Sequence, residues 1–349
     1  MRKGLIQTFK FIAFLAVGII LLWLAFRNVN FTKLGSLLKE ANYSWLILSV
    51  LFALFAFISR ARRWVLLINS LGFNPSTINS FYAVMTGYLA NLALPRLGEI
   101  TRCVVLGKKE KIPVDQLIGT VVIERTIDLL SLIVIMIVMI ITSGDKINLF
   151  LKESILIPIQ QKVFHIFGNT WIFLALLFFA AFIALFFAVR YKRRLSKIRF
   201  FAKLFDVAKG IINGLKTITK LKRIGEFILH TIFIWICYAL MTWVVVFSLN
   251  STSSLTFGDS IFILVIGGLA MSAPVPSGLG AFHYIVSRGL LFVNGIPIED
   301  GLTYALLAHE SQLIFIAIVG AISFFIIFRK ERIAVPPFVQ PPNPPNGGL

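Results

Sequence analysis

The sequence is poor in charged residues and has only two cysteines. Charged residues make up 14% of the chain, against about 25% in an ordinary soluble domain. Cys103 and Cys237 fall in separate apolar segments, and no CxxC or Cys/His zinc spacing is present. Walker, dinucleotide-binding and nucleophile-elbow motifs are absent as well. The chain is therefore not a disulfide scaffold, and we expect no metal, no cofactor, no catalytic residues and no enzyme activity.

Apolar residues are correspondingly abundant. They make up 58% of the 349 residues, and the mean hydropathy is +0.89. A soluble fold of this size cannot bury so much apolar surface, so the composition predicts an all-α polytopic integral membrane protein. The net charge of +19 fits the enrichment of Lys and Arg in cytoplasmic loops and near anionic lipid. We therefore expect contact with membrane phospholipids and no nucleic acid.

Six apolar runs approach the length of roughly 20 residues that a spanning helix needs. They cover residues 9–26, 43–58, 117–141, 171–189, 227–249 and 302–328. Two further runs, 78–94 and 261–276, contain glycine and lead into proline–glycine sequences, so we predict them to be re-entrant hairpins. The predicted hinge residues of the two hairpins are Pro95, Gly98, Pro276, Gly278 and Gly280.

The distribution of basic residues favours this topology. Segment 190–226 contains twelve Lys and Arg and two acidic residues, and such a segment belongs on the cytoplasmic side. With a cytoplasmic N-terminus it lies there only if the hairpins do not cross, and both termini are then cytoplasmic. The first run has no small-x-small cleavage site and is interpreted as an uncleaved span. We predict one transmembrane domain over 1–330 and a proline-rich, disordered tail over 331–349.

A weak internal repeat relates the two halves of this domain. Three residues of the first hairpin have counterparts 181 positions later. Gly87, Asn91 and Pro95 match Gly268, Ser272 and Pro276. The repeat also sets Arg125 against His309 and Asp128 against Gln312. The first copy covers about 9–141 and the second about 171–328, and three crossings in each predict inverted topology. Inverted repeats with broken helices are typical of transporters.

Ionisable residues inside predicted spans are candidate substrate-binding residues, because they are costly there unless they are paired or face water. Glu124 and Asp128 share one face of the third full span, and Arg125 is three residues from Asp128. This pattern indicates an ion-pair cluster that joins helices, the polar wall of a substrate path, or both. The first hairpin adds a candidate anion-binding set, against the simpler alternative of unspecific contact with lipid phosphates. This set comprises Asn91, Arg96, Glu99 and Arg102.

The second hairpin and the last span contribute His283, His309 and Glu310. His309 and Glu310 form half of an HExxH zinc motif, but Leu313 stands at the second histidine position, so we predict no zinc site. Proton transfer by His309 and Glu310 is the functional alternative to a packed histidine.

A basic sequence, Arg60-Ala-Arg62-Arg63-Trp64, follows the second predicted span. Basic residues beside a tryptophan are typical of the membrane–water boundary. We therefore predict that Arg60, Arg63 and Trp64 form an interfacial anchor.

Together these motifs resemble the lysylphosphatidylglycerol synthase transmembrane-region family, which is also called flippase-like. The resemblance covers nearly the whole chain. Four motifs carry it: Arg60-x-x-Arg63-Trp64, Asn91-x-x-x-Pro95-Arg96-x-Gly98-Glu99-x-x-Arg102, Glu124-Arg125-x-x-Asp128 and Pro276-Ser277-Gly278-Leu279-Gly280. It implies a protein of the bacterial or archaeal cytoplasmic membrane, and relatives fused to a synthase domain suggest a homodimer. The membrane part of those relatives is held to flip the lipid product.

The sequence departs from the family pattern at two positions. Ser277 replaces the first glycine of the second hairpin, and His283 stands where the family has a glutamate. The synthase domain has no counterpart here, so aminoacyl transfer is not expected. The leading hypothesis is a translocase for an anionic, aminoacylated or glycosylated lipid. The alternatives are an intramembrane enzyme or accessory subunit for lipid-linked substrates, and a proton-coupled transporter of small solutes.

Overall fold

A computed structural model describes residues 15–27, 29–94, 97–142, 179, 221–272 and 275–329 of the protein. These residues form helices and short connections, with no β-strand among them, which confirms the prediction of an all-α polytopic membrane protein. The helices are α1 (Leu15–Phe26), α2 (Phe31–Glu40), α3 (Ser44–Asn69), α4 (Thr77–Ala93), α5 (Leu97–Glu110), α6 (Val114–Thr142), α7 (Ile224–Val246), α8 (Phe257–Met271), α9 (Ala281–Asn294) and α10 (Ile298–Arg329), with a 3₁₀ turn at Pro276–Gly278.

Four of the described helices, α3, α6, α7 and α10, are long and apolar enough to cross a membrane. The pair α1 and α2, bent by 88°, has the length and composition of a fifth span. Large apolar side chains point away from the helix bundle, such as Leu229 at 69% and Phe325 at 70% exposure. Such an outer surface suits lipid rather than water. The tail 331–349, most of the basic segment 190–226 and all of the predicted span 171–189 except residue 179 lie outside the described residues.

The first predicted hairpin is a pair of antiparallel helices, α4 and α5. At its open end Asn79 Nδ2 donates to Glu110 Oε1 at 2.7 Å. At its closed end Asn91 Oδ1 accepts from the Gly98 backbone N–H at 2.7 Å. A Cβ atom at Gly98 would lie 2.1 Å from the Gly87 carbonyl oxygen. The two helices can approach this closely only because both contact positions are glycine.

The second predicted hairpin has the same construction in α8 and α9. At its open end Asn294 Nδ2 donates to Asp259 Oδ1 at 2.6 Å. Toward the closed end, Gly267 lies against the Phe282 ring. A Cβ at Gly267 would stand 2.7 Å from the nearest carbon of that ring. Gly280 has φ +76, and a Cβ there would lie 2.4 Å from the Leu22 amide nitrogen of α1. Gly280, one of the predicted hinge residues, therefore has no room for a side chain, and Gly267 makes room for the Phe282 ring within the hairpin. Whether either hairpin is re-entrant in the membrane stays a prediction.

The repeat extends to the backbone between each hairpin and the long helix that follows. Lys111 (φ +56) and Gly295 (φ +68) both adopt left-handed conformations, and they are 184 residues apart. Each is followed by Ile-Pro and then by the first turn of α6 or α10. Proline suits a helix start because its missing N–H has no intrahelical acceptor there. The order of long helix, broken hairpin and long helix therefore occurs twice.

The two copies are inverted relative to each other. α3 and α7 are equivalent, since each is the long helix that precedes its hairpin, and they pack side by side. Ser49 near the start of α3 donates to the carbonyl of Met241 near the end of α7, at 3.0 Å. Further along, Ser59 Oγ lies 2.8 Å from Nδ1 of His230, which is early in α7. Equivalent helices thus run antiparallel, as an inverted repeat requires.

Candidate functional site

A buried charge cluster joins α3, α5 and α6, with Glu124 at its centre. The Glu124 side chain is 0% exposed. Its Oε1 accepts from Arg60 Nε at 2.7 Å and lies 3.5 Å from Arg63 Nη2, while its Oε2 lies 2.9 Å from Arg102 Nη1. A carboxylate in an apolar interior is costly unless it is paired. Three guanidinium groups surround this carboxylate, so Glu124 links α6 to both α3 and α5.

Asp128 extends the cluster by one helical turn. Its Oδ1 accepts from Arg63 Nη2 at 2.6 Å, and its Oδ2 pairs with Arg60 Nη2. Arg60 Nη1 also donates to the Tyr238 hydroxyl at 2.9 Å, which brings α7 into the network. The i, i+4 spacing of Glu124 and Asp128 places both carboxylates on one face of α6, as predicted.

The predicted interfacial anchor is corrected by these contacts. Arg60, Arg63 and Trp64 are buried, and α3 continues past them to Asn69. The apolar run 43–58 ends before these residues, but the helix does not, because Glu124 and Asp128 neutralise the arginines. Hydropathy cannot register such pairing, since the carboxylates lie more than 60 residues away in sequence.

Trp64 has a specific place in this cluster. Its Nε1 donates to Thr120 Oγ1 at 2.8 Å, and Arg102 Cζ lies 4.8 Å from its ring centroid. A guanidinium over an indole face is a favourable cation–π contact, stronger when water is excluded. Trp64 therefore helps to hold Arg102 against Glu124. Arg102, predicted to bind substrate directly, is buried within the cluster instead.

Arg125 is the most accessible cation of the cluster among the described residues. Its side chain is 40% exposed, and its guanidinium lies 3.8 Å from both Glu99 Oε1 and Asp128 Oδ2. These distances are longer than those of a direct charge-assisted hydrogen bond. Arg125 is thus held near two carboxylates without being fully engaged by either. Two other predicted residues of the first hairpin, Pro95 and Arg96, lie outside the described residues.

A cavity of about 500 Å³ lies between the two halves of the protein. Arg60, Arg125 and Asp128 form a charged part of its wall, and most of the remaining wall is apolar or aromatic. The lining residues come from α3, α4 and α6 on one side and from α7, α8, α9 and α10 on the other. Its size falls within the range of small-molecule sites.

The residues that the repeat sets against each other meet on this cavity. Arg125 and Asp128 line it from α6, and their counterparts His309 and Gln312 line it from α10. The polar substitutions between the copies make the two sides chemically different, with charge on one side and an imidazole and an amide on the other.

The second hairpin and the last span bring His283, His309 and Glu310 together. His309 Nδ1 lies 3.2 Å from Glu310 Oε1, and His283 Nε2 lies 3.3 Å from the same oxygen. His309 Nε2 lies 2.8 Å from the carbonyl oxygen of Ser277 at the helix break. The side chain of Ser277 in turn donates to the Asn91 carbonyl of the first hairpin at 3.3 Å. The two hairpin breaks therefore touch, and the histidine pair lies beside them.

Sequence reasoning missed most residues of the cavity wall, among them two tyrosines beside the charge cluster. Tyr238 and Tyr88 lie within apolar stretches and carry no charge pattern that would mark them. Gln312 was predicted as the counterpart of Asp128 but not as a site residue, and it donates to Ser49 Oγ at 3.1 Å. The repeat was the one signal that pointed to Gln312.

These features define a polytopic helical membrane protein with an inverted repeat and a polar site between its halves. The sequence matches the family described as lysylphosphatidylglycerol synthase TM region over residues 11–320. The protein belongs to this family, which confirms the resemblance drawn from its motifs.

Two relatives from Methanocaldococcus jannaschii are described as membrane proteins. UPF0104 membrane protein MJ1078 is 26% identical over 248 residues, covering 70% of this chain and 95% of that protein. UPF0104 membrane protein MJ1595 is 29% identical over 103 residues, covering 29% of this chain and 31% of that protein. The first alignment spans nearly all of its relative, as expected for a stand-alone transmembrane region. No solved structure is significantly similar to this one.

Proposed function

We propose that this protein translocates an anionic, aminoacylated or glycosylated lipid between membrane leaflets, through the cavity between its two halves. The observation that carries the proposal is the partly exposed Arg125 on the wall of that cavity, backed by a buried network of further arginines. Membership of a family named for a lipid synthase supports a lipid as the substrate.

The charge balance of the cluster favours an anionic group. Its described members are four arginines and three carboxylates, namely Arg60, Arg63, Arg102 and Arg125 with Glu99, Glu124 and Asp128. The surplus positive charge borders the cavity at Arg125. A phosphate or carboxylate of the substrate would complete the pairing, and a planar guanidinium can bind it in a bidentate manner.

The cavity has both kinds of surface that a lipid needs. A head group must cross roughly 30 Å of hydrocarbon, and a polar group is costly there without partners. Arg125, Asp128 and Gln312 supply polar partners inside the bundle, while apolar wall residues such as Leu129 and Leu132 suit acyl chains. We assign Arg125 to head-group contact and Glu124 to positioning of the arginines behind it.

The proposal makes the protein a transporter, and no covalent change of the lipid is part of it. The partners that we propose are phospholipids or lipid-linked molecules of a bacterial or archaeal cytoplasmic membrane. We place both termini of the protein on the cytoplasmic side of that membrane. The enzymatic alternative differs in a measurable product, because a translocase returns its lipid chemically unchanged.

The test is transport in liposomes reconstituted with the full-length protein. Head-labelled phosphatidylglycerol, its lysyl ester and a glycolipid are placed in separate vesicles, and an impermeant quencher reports which leaflet holds the label. We expect faster exchange of at least one lipid, and loss of that acceleration in Arg125→Ala. Recovered lipid is analysed for chemical modification.

Arg62→Ala is the matched control, since Arg62 lies on α3, pairs with Glu226 at 2.8 Å and does not line the cavity. It should exchange lipid at the wild-type rate. Equal exchange in Arg125→Ala and wild type would refute the assigned role, and a modified lipid would favour the enzymatic alternative. Transport of small solutes that depends on a pH gradient, without lipid exchange, would favour the proton-coupled alternative.

A further inference from the structure

His283, His309 and Glu310 form a compact group at the break of the second hairpin. One ligand-type atom from each residue can be chosen so that all three lie within 4.8 Å of one another. Both histidines are buried, at 1% and 5% exposure, while the Glu310 side chain is 42% exposed. Buried histidines beside a carboxylate need an explanation, because their polar atoms have left water.

The hydrogen bond of His309 fixes the role of its second nitrogen. Nε2 lies 2.8 Å from the Ser277 carbonyl oxygen, and a carbonyl oxygen only accepts, so Nε2 carries the proton. In a neutral ring, Nδ1 then holds a lone pair, and it faces Glu310 Oε1 at 3.2 Å. A lone pair on Nδ1 and one on the carboxylate oxygen repel each other at this separation unless a proton or a metal ion lies between or beside them.

His283 is the third donor of this group. Its Nε2 lies 3.3 Å from the same Glu310 oxygen, and neither of its ring nitrogens makes a hydrogen bond with the residues that the structure describes. Protons alone would satisfy the group only if His309 is an imidazolium and His283 also donates from Nε2 to the same oxygen, and no hydrogen bond forms from His283 among the described residues. One metal ion would engage all three donors at once.

The spacing of the donors fits a tetrahedral ion. Zinc bonds of about 2.0–2.2 Å to nitrogen and oxygen imply ligand–ligand separations of roughly 3.3 Å in a tetrahedron. The separations from Glu310 Oε1 to His309 Nδ1 and to His283 Nε2 are 3.2 Å and 3.3 Å, and all three ligand atoms lie within 4.8 Å of one another. A metal-bound histidine commonly donates its other N–H to a backbone carbonyl, as His309 does to Ser277.

We infer that His283, His309 and Glu310 bind a divalent transition-metal ion of the zinc type, with a fourth position left for water or an anion. Two imidazoles and one carboxylate suit Zn²⁺ and disfavour Ca²⁺ and Mg²⁺, which prefer oxygen ligands. The inference differs from the prediction of no zinc site, which rested on the missing second histidine of HExxH. The second histidine comes from α9 instead of from the same helix. The inference does not depend on the proposed transport activity.

Binding of Zn²⁺ alone tests the site directly. Full-length protein, purified in detergent without a polyhistidine tag, is stripped with a chelator and dialysed against buffered Zn²⁺. Bound zinc is then measured by mass spectrometry, with Mg²⁺ present in excess. We expect about one tightly bound zinc per chain. The visible absorption bands of bound Co²⁺ should have the intensity of a four-coordinate site.

The variants His283→Gln, His309→Gln and Glu310→Gln should each weaken zinc binding at least about tenfold. His230→Gln and His165→Gln are the matched controls, because they remove the two other histidines of the chain, and both should keep the zinc. Size-exclusion profiles establish that each variant is folded. Wild-type protein without bound zinc, or folded His283→Gln and His309→Gln variants that retain it, would overturn the inference.

Discussion

Arg60 and Glu124 form a buried ion pair, 2.7 Å between Nε and Oε1, that ties the middle of α3 to α6. The same carboxylate also lies beside Arg63 and Arg102. The pair thus has two consequences. It allows α3 to carry charges through an apolar region, and it makes the integrity of the bundle depend on one carboxylate.

Replacing this carboxylate should therefore unfold the protein more readily. Glu124→Gln leaves three buried guanidinium groups with one shared partner fewer, and breaking a buried pair in this way costs about 3 kcal/mol or more. Thermal unfolding in detergent measures the loss. Glu99→Gln is the control, because the Glu99 side chain is 30% exposed and its contact with Arg125 is 3.8 Å. A Glu124→Gln variant as stable as Glu99→Gln would contradict the central role of Glu124.

The closed end of the first hairpin should be intolerant of a single methyl group. In Gly98→Ala the new Cβ would overlap the Gly87 carbonyl oxygen, so α4 and α5 must separate, at a cost of about 2 kcal/mol. Gly119→Ala is the matched change on α6, where nothing lies within 4 Å of the new atom. It should stabilise the protein by about 0.5–1 kcal/mol through helix propensity. Unfolding midpoints that shift equally in the two variants would contradict this packing.

Ser277 occupies a backbone conformation that glycine adopts more easily, with φ +50 and ψ 22. Ser277→Ala and Ser277→Gly both remove the hydroxyl donated to the Asn91 carbonyl. They differ in the cost of the left-handed conformation, about 1 kcal/mol or more for a residue with a Cβ. We expect Ser277→Gly to be more stable than Ser277→Ala by this amount in the same unfolding assay. Equal stabilities would mean that the turn relaxes.

The topology prediction can be checked by labelling single cysteines. In a background of Cys103→Ala and Cys237→Ala, both of which replace buried thiols, a cysteine is placed at Ser253 or at Lys209. Ser253 lies in an exposed turn that we predict to be external, and Lys209 lies in the basic segment that we predict to be cytoplasmic. An impermeant maleimide should label Ser253→Cys in intact cells and Lys209→Cys only after lysis. The opposite pattern would reverse the orientation.

Part of the candidate site was accessible from sequence because its signals are local. The i, i+4 spacing of Glu124 and Asp128 predicts one helix face, and the repeat predicts that Arg125 and His309 occupy corresponding positions. Arg125 and His309 both line the cavity. The misplacement of Arg60, Arg63 and Trp64 has the opposite cause. Basic residues after an apolar run look like a membrane boundary when their carboxylate partners lie elsewhere in the chain.

Sequence patterns were sufficient to predict a polytopic helical membrane protein, the positions of its hairpin breaks and its family. Hydropathy, glycine and proline positions and short motifs are properties of consecutive residues, so they survive without coordinates. The packing of the helices was needed to show that Glu124 binds arginines from two other helices, and that His283 lies beside His309 and Glu310. Those contacts join residues that are 22 to 64 positions apart, and their free energy depends on burial and pairing, which no local pattern records.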